Sequence, residues 1–171
     1  AGASDVLLSV TDEVADVDGQ FNVRSAAAAT ADPARYHVRV QAAQGEYLNI
    51  AELDMYDSSG AQLVLSNGTL GSTYGNQPAT NAIDDDTSTF CHTNLDADNW
   101  VRFTFTSSDS SVRVEITNRV NCCYDRLIGG NVQILDSSMQ TLGEQQVTGS
   151  EGTINSAGGI GDWTFYLATP M

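Results

Sequence analysis

Val112-Arg113-Val114-Glu115-Ile116-Thr117 is the stretch that decides the fold class. Apolar β-branched residues alternate there with charged or polar ones at a period of two, the pattern of a strand that buries one face and wets the other. Upstream, Trp100 to Thr106 repeats the pattern, with Val101, Phe103 and Phe105 on one face. His37 to Val40, Leu48 to Tyr56 and Leu63 to Leu65 predict three earlier strands, and Ser58-Ser59-Gly60 supplies the turn between the last two. Downstream, Val132 and Ile134 mark another strand and Trp163 to Leu167 a late one. No long segment carries a helical repeat, which argues against a parallel sheet wound with helices. Seven or eight short strands separated by turn signals predict an all-β sandwich or barrel, with binding residues on the loops at one end.

The chain of 171 residues suits one such core plus a short addition. Residues 1–35 lack strong periodicity, and Ser25 to Ala34 is rich in alanine. They are expected to form an N-terminal extension, an arm or an edge cover with one strand around Val6 to Val10, ahead of a domain spanning 36–171.

Composition narrows the function classes. Twenty-two acidic residues face seven arginines and no lysine, a net charge of −15. Nucleic-acid binding needs a basic stripe that this chain lacks, and an acidic surface is repelled by anionic membranes. No stretch approaches the roughly 18 consecutive apolar residues of a membrane span. The start at Ala1-Gly2-Ala3-Ser4 and the sequon Asn67-Gly68-Thr69 point to a secreted protein, or one in another oxidising compartment, after removal of a targeting peptide.

The residues able to carry chemistry lie between Asn81 and Arg126. Asn81-Ala82-Ile83-Asp84-Asp85-Asp86 gathers oxygen donors in a short turn, which suits a hard divalent cation such as calcium or else a plain solvated surface. Cys122 and Cys123 are adjacent. Consecutive Cα atoms lie about 3.8 Å apart, below the ordinary disulfide range, so the two form either a small strained ring or a pair of free thiols. Arg119 and Arg126 flank them, with Asn121 and Asp125 between. Arginine offers donors and no acceptor, which fits hydroxyl and ring oxygens, and His92 adds a third donor if the protein holds its other nitrogen. Neither histidine sits beside a nucleophile in a pattern that specifies catalysis, so no enzymatic activity is expected.

At these residues the sequence resembles the F-type lectins, the fucose-binding branch of the discoidin-like (F5/8 type C) fold. Their motif runs His, 26 residues, Arg, any residue, Asp, four residues, then Arg or Lys. His92, Arg119 and Arg126 keep that spacing, and Asn121 stands at the Asp position. Asn81-Ala82-Ile83-Asp84 is similar to the family's calcium turn, although Asp85 replaces a common glycine. Glu46 to Leu53 is similar to a strand of the same branch. The likeness is good over about residues 36–135 and poor over the last 35.

The resemblance implies a jelly-roll sandwich of about eight main strands. It implies that His92, Arg119 and Arg126 donate hydrogen bonds to a terminal fucose-like sugar, that Cys122 and Cys123 close a vicinal disulfide against the sugar ring, and that Asn81, Asp84 and Asp86 hold a structural calcium. It leaves Cys91 as a free thiol or a link to another chain. The functional expectation is therefore a lectin. Because single-site sugar binding is weak, several copies in a homo-oligomer or a larger assembly are expected. The competing expectation is a structural or protein-interaction subunit whose pocket has decayed, favoured by Asn121, the poorly matching C-terminus and the 35-residue extension.

Overall fold

The computed structural model describes residues 34–95, 99–149, 153–154 and 160–169. The expected strand around Val6 to Val10, and the expected extension up to Pro33, lie outside them. Ten strands follow in order: β1 (Ala34–Gln41), β2 (Asn49–Tyr56), β3 (Ser66–Leu70), β4 (Cys91–His92), β5 (Trp100–Ser107), β6 (Ser111–Asn118), β7 (Asn131–Leu135), β8 (Thr141–Gln146), β9 (Thr153–Ile154) and β10 (Ile160–Ala168). Two of these have only two residues, which leaves eight main strands, and a 3-10 turn covers Ala79–Ala82.

The strands form two five-stranded sheets, ordered β3-β5-β1-β7-β8 and β4-β2-β6-β10-β9. Every paired register is antiparallel. The architecture is the expected all-β, discoidin-like sandwich.

Alternation drives the packing. Tyr36, Val38 and Val40 of β1, Val101, Phe103 and Phe105 of β5, and Val112, Val114 and Ile116 of β6 are all buried, and Trp163, Phe165 and Leu167 of β10 close the core from the second sheet. Each fully buried side chain of this size contributes about 1.5–3 kcal/mol. The Trp163 indole N–H donates to the Thr148 carbonyl (3.0 Å), so even the largest core residue keeps its polar atom paired.

One expected strand is displaced. Leu63 to Leu65 alternates, with Leu63 and Leu65 against the core and Val64 84% exposed, yet the segment makes only a bridge from Gln62 to Tyr56 and a bond from Leu63 N–H to the Met55 carbonyl (2.8 Å). Alternation reports burial on one side, and pairing needs an open sheet edge. The chain finds that edge three residues later, where β3 lines up along β5 with a register shift between Ser66 and Thr69. Within the irregularity Asn67 takes φ 52°, and a Cβ on Gly68 would lie 2.6 Å from Phe103 Cε1, so only glycine fits there.

The registers also fix where the loops gather. Gln41 opposes both Trp100 and Asn131 in the first sheet, while Asn49 opposes His92 and Ile50 opposes Asn118 in the second. Three crossovers between the sheets, residues 42–48, 93–99 and 119–130, therefore lie at one end of the sandwich.

Candidate functional site

Each of those crossovers, or the strand end it leaves, contributes to one cluster. His92 ends β4 and is 5% exposed. Its ring packs edge-on against Tyr47 (centroids 5.4 Å apart), tilted against Tyr74 (4.9 Å) and near Phe90 (6.1 Å). The Arg119 guanidinium lies over the Phe90 ring at 3.9 Å and that of Arg126 over the Tyr47 ring at 4.8 Å. Such stacking holds a planar cation in place and keeps its edge open to hydrogen-bond acceptors.

Each arginine also has one amide anchor. Arg119 Nε donates to Asn121 Oδ1 (2.5 Å), and Arg126 Nη1 donates to Asn49 Oδ1 (3.3 Å). Among the described residues the ion pair is Arg113 with Glu115, so both site cations stand without a carboxylate. Of the five N–H groups on a guanidinium, the described residues engage one on each.

The loop between them is braced from inside. Asn118, buried at the end of β6, donates from Nδ2 to the Tyr124 carbonyl (2.9 Å) and accepts the Arg119 N–H (2.8 Å), and the Tyr124 hydroxyl donates to the Val120 carbonyl (3.0 Å). Cys122 and Cys123 are joined as a vicinal disulfide with Cα atoms 3.8 Å apart, and Cys123 adopts φ 68°, a conformation that costs a non-glycine residue energy and persists when its surroundings impose it. Asn121 thus braces Arg119 with a neutral carbonyl, and Asp125 uses its backbone carbonyl to cap Ile128 N–H.

The tautomer of His92 follows from its neighbour. Its Nδ1 lies 2.7 Å from the Thr93 carbonyl oxygen, an acceptor only, so Nδ1 carries the proton. Burial, followed by the positive charges of Arg119 and Arg126, holds the ring below its ordinary pKa despite the Thr93 bond. The neutral ring therefore keeps Nε2 as an acceptor. With Nδ1 held as the donor, Nε2 donates only in the imidazolium.

The acidic turn is arranged differently from its expected ligand set. Asp84 accepts the Thr89 hydroxyl (2.9 Å) and the Asp86 N–H (3.2 Å), while the Asp86 carboxylate turns to Ser88 N–H and Oγ, which holds it below the usual carboxylate range. Asn81 Nδ2 donates to the Phe90 carbonyl (3.2 Å). The acid that sequence reading missed is Glu52, 5% exposed on β2, whose Oε1 accepts the Asp86 N–H (2.9 Å). Burial and a hydrogen bond to Asp84 push its carboxyl up to about 7. Among the described residues no three His, Cys, Asp or Glu side chains gather as a metal site.

Cys91 is fully buried as a free thiol, and burial pushes its pKa up to about 12. A thiol with no exposed surface cannot reach another chain, which settles that alternative.

Tyr47, Tyr74, Phe90 and Asn49 were also missed. Tyr47 sits one residue past Glu46 in a segment that reads as strand, and Tyr74 is tied in by its N–H to the His92 carbonyl (2.9 Å). The aromatic residues upstream of His92, Phe90 nearest to it, were the available signal.

These features define a two-sheet, discoidin-like sandwich with a cation- and ring-lined site at its loop end. Residues 81–165 match the F5/F8 type C family model described as NedA-like, galactose-binding domain, which covers the acidic turn, the His92 segment and the disulfide loop and supports the discoidin-like family. No curated protein and no solved structure matches the chain.

Proposed function

We propose that the protein is a non-catalytic carbohydrate-binding module, a lectin that recognises a terminal fucose-like sugar at the cluster of Tyr47, His92, Arg119 and Arg126. The observation that carries this reading is the pair of guanidinium groups over aromatic rings beside a neutral imidazole, each with one amide anchor and, among the described residues, no carboxylate partner. Donors from the arginines and an acceptor from His92 match a hydroxyl, which needs both. The disulfide between the arginines gives a preordered surface that loses little entropy when a sugar face covers it. The galactose-binding description of the matched family supports a carbohydrate ligand. The disulfide also favours a secreted or otherwise oxidising location. Weak single-site binding makes several copies in one assembly part of the same reading.

Calorimetric titration with L-fucose tests it, and saturating sugar without heat overturns it. For the second reading, a structural or protein-interaction subunit with a decayed pocket, Asn121 is a weaker support because it still holds Arg119. It returns if fucose fails.

The His92 chemistry sets a pH dependence. Neutral His92 accepts; protonation below its depressed pKa removes that acceptor and adds a third positive charge facing Arg119 and Arg126, among the rings of Tyr47, Tyr74 and Phe90. Affinity should be level from about pH 8 to about pH 6.5 and fall below that. The linked stability has the same sign, present above the unfolded-state pKa and lost as pH falls through the folded one. Rising affinity at acid pH would contradict the acceptor role.

A structural calcium belongs to this proposal with an amended ligand set. Glu52 and Asp84 bring two carboxyl groups together with Glu52 buried, an arrangement that a hard cation relieves. Asp84 and Glu52, with Asn81, would hold the ion, and its charge would brace the turn leading through Phe90 to His92. Asp86 contributes through its backbone N–H to Glu52. Calcium should raise the melting temperature relative to chelator, and Glu52→Gln should reduce that rise. Equal melting with calcium and with chelator would remove calcium from the reading.

A further inference from the structure

β3 is the outer strand of the first sheet, and among the described residues β5 is the strand it pairs with. An outer strand offers unpaired backbone N–H and C=O groups on which a second chain can pair, and folded proteins blunt such an edge with charge, proline, a bulge or a cover. Charge and proline are missing from β3. No Asp, Glu or Arg occurs from Ser58 to Ile83, in a chain that is 17% charged, whereas the opposite edge, β8, carries Glu144. Val64, just before β3, is 84% exposed and adds an apolar surface to the same edge.

The bulge decides what this edge presents. Ser66 opposes Thr104 and Thr69 opposes Arg102, so Asn67 and Gly68 share the one position of Phe103. Gly68 faces inward, with its missing Cβ directed at the Phe103 ring, and Asn67 and Thr69 on either side of it are exposed. At φ 52° Asn67 holds a left-handed conformation that asparagine tolerates better than most residues. Its Nδ2 reaches Ser66 Oγ at 3.5 Å, the long limit of a hydrogen bond, so a substituent on that nitrogen breaks no strong contact.

Asn67-Gly68-Thr69 is also the one Asn-X-Ser/Thr sequence in the chain. Three residues of sequence carry little alone. Their placement carries more: Phe103 demands glycine at the middle position, and both recognition side chains stand outward on the uncharged edge.

We infer that Asn67 carries an N-linked glycan, which covers the β3 edge and the exposed Val64. Asn67 Nδ2 attacks the anomeric carbon of an oligosaccharide carried on a lipid pyrophosphate. The new C–N bond replaces the C–O bond to the pyrophosphate, which leaves with the electron pair, and the amide gives up one proton. Val64 is three residues from Asn67, at most about 10 Å of chain, so a bulky, solubilising group at Asn67 lies over it. Copies of the protein therefore meet through surfaces other than β3. The inference rests on the secretory location within the proposed function and is independent of the sugar-binding reading.

The test is expression of the full chain behind a secretory leader in a eukaryotic cell, with the mass of the secreted protein measured before and after peptide N-glycosidase. The forms compared are the wild type, Asn67→Gln, Thr69→Ala and Thr69→Ser. Wild type and Thr69→Ser should carry the mass of a glycan, which the glycosidase removes, leaving an aspartate in place of Asn67. Asn67→Gln and Thr69→Ala should carry none. Thr69→Ala keeps Asn67 at its left-handed position, so it decides the matter even where glutamine there impairs folding. In sedimentation Thr69→Ala should form larger species at concentrations where the wild type does not, and equal sedimentation overturns the shielding role. Secreted wild type without a glycan, or a glycan that survives Thr69→Ala, overturns the modification and leaves the location standing. Retention of every form inside the cell, with Cys122 and Cys123 as free thiols, overturns the location and the modification together.

Discussion

Arg126→Ala is expected to weaken L-fucose binding by roughly 10- to 150-fold, the equivalent of about 1.5–3 kcal/mol for a hydrogen bond from a charged donor. Arg126 lies over the Tyr47 ring at 4.8 Å with Nη1 on Asn49 Oδ1, so two contacts hold the guanidinium in place in advance. Arg126→Lys should recover little of the loss, because an ammonium has neither a face to stack nor a fork of donors. A second readout separates a ligand-binding role from simple support of the fold. The Arg126 charge helps to depress the His92 pKa, so its removal should raise the imidazole titration measured by NMR. Stability should change little, since the side chain is only partly buried. A variant with the raised His92 titration and undiminished fucose affinity would place the sugar elsewhere.

The parts of this site that the sequence made legible are those carried by one short segment. Arg119, Cys122, Cys123 and Arg126 lie within eight residues of each other, and their spacing from His92 is readable without knowing the fold. Tyr47, Tyr74 and Asn49 reach the same cluster from other segments, Asn49 by lying opposite His92 in the sheet and Tyr74 by its N–H to the His92 carbonyl. Period-two alternation reveals which face a side chain takes and carries no record of which strand lies alongside. Glu52 shows a related limit. Within Leu48 to Leu53 it reads as an exposed acid, yet the turn that carries Asp84 and Asp86 folds over it. β8 escaped notice because Thr141 to Gln146 has no alternation; it is an edge strand paired to β7, with Leu142 alone of its residues packed against the core. β6 buries one clean face, and β5 buries Val101, Phe103 and Phe105 on one face with Thr104 also covered on the other, so both strands were plain from the start.

Gly130→Ala should couple fold and site most sharply. A Cβ at this position would lie 2.1 Å from the Gln41 carbonyl oxygen, 2.9 Å from that of Leu127 and 3.1 Å from the Ala42 carbonyl carbon, all backbone atoms that no side-chain rotation can clear. The chain must move, and Gly130 is tied where it stands by its N–H to Leu127 (3.0 Å) and by its carbonyl to Val147 N–H (2.9 Å). Overpacking of this kind costs about 1–3 kcal/mol or more, which for a domain of this size lowers the melting temperature by roughly 2–4 °C per kcal/mol. The displaced segment is the end of the loop that carries Arg119, the disulfide and Arg126, so fucose affinity should fall along with stability. Gly45→Ala provides the contrast. Gly45 has φ 83° but nothing within 4 Å of its missing Cβ, so the penalty there is local backbone strain and leaves the crossovers in place. If Gly130→Ala melted and bound sugar like the wild type, the close approach of β1 to the disulfide loop would not be what positions the two arginines.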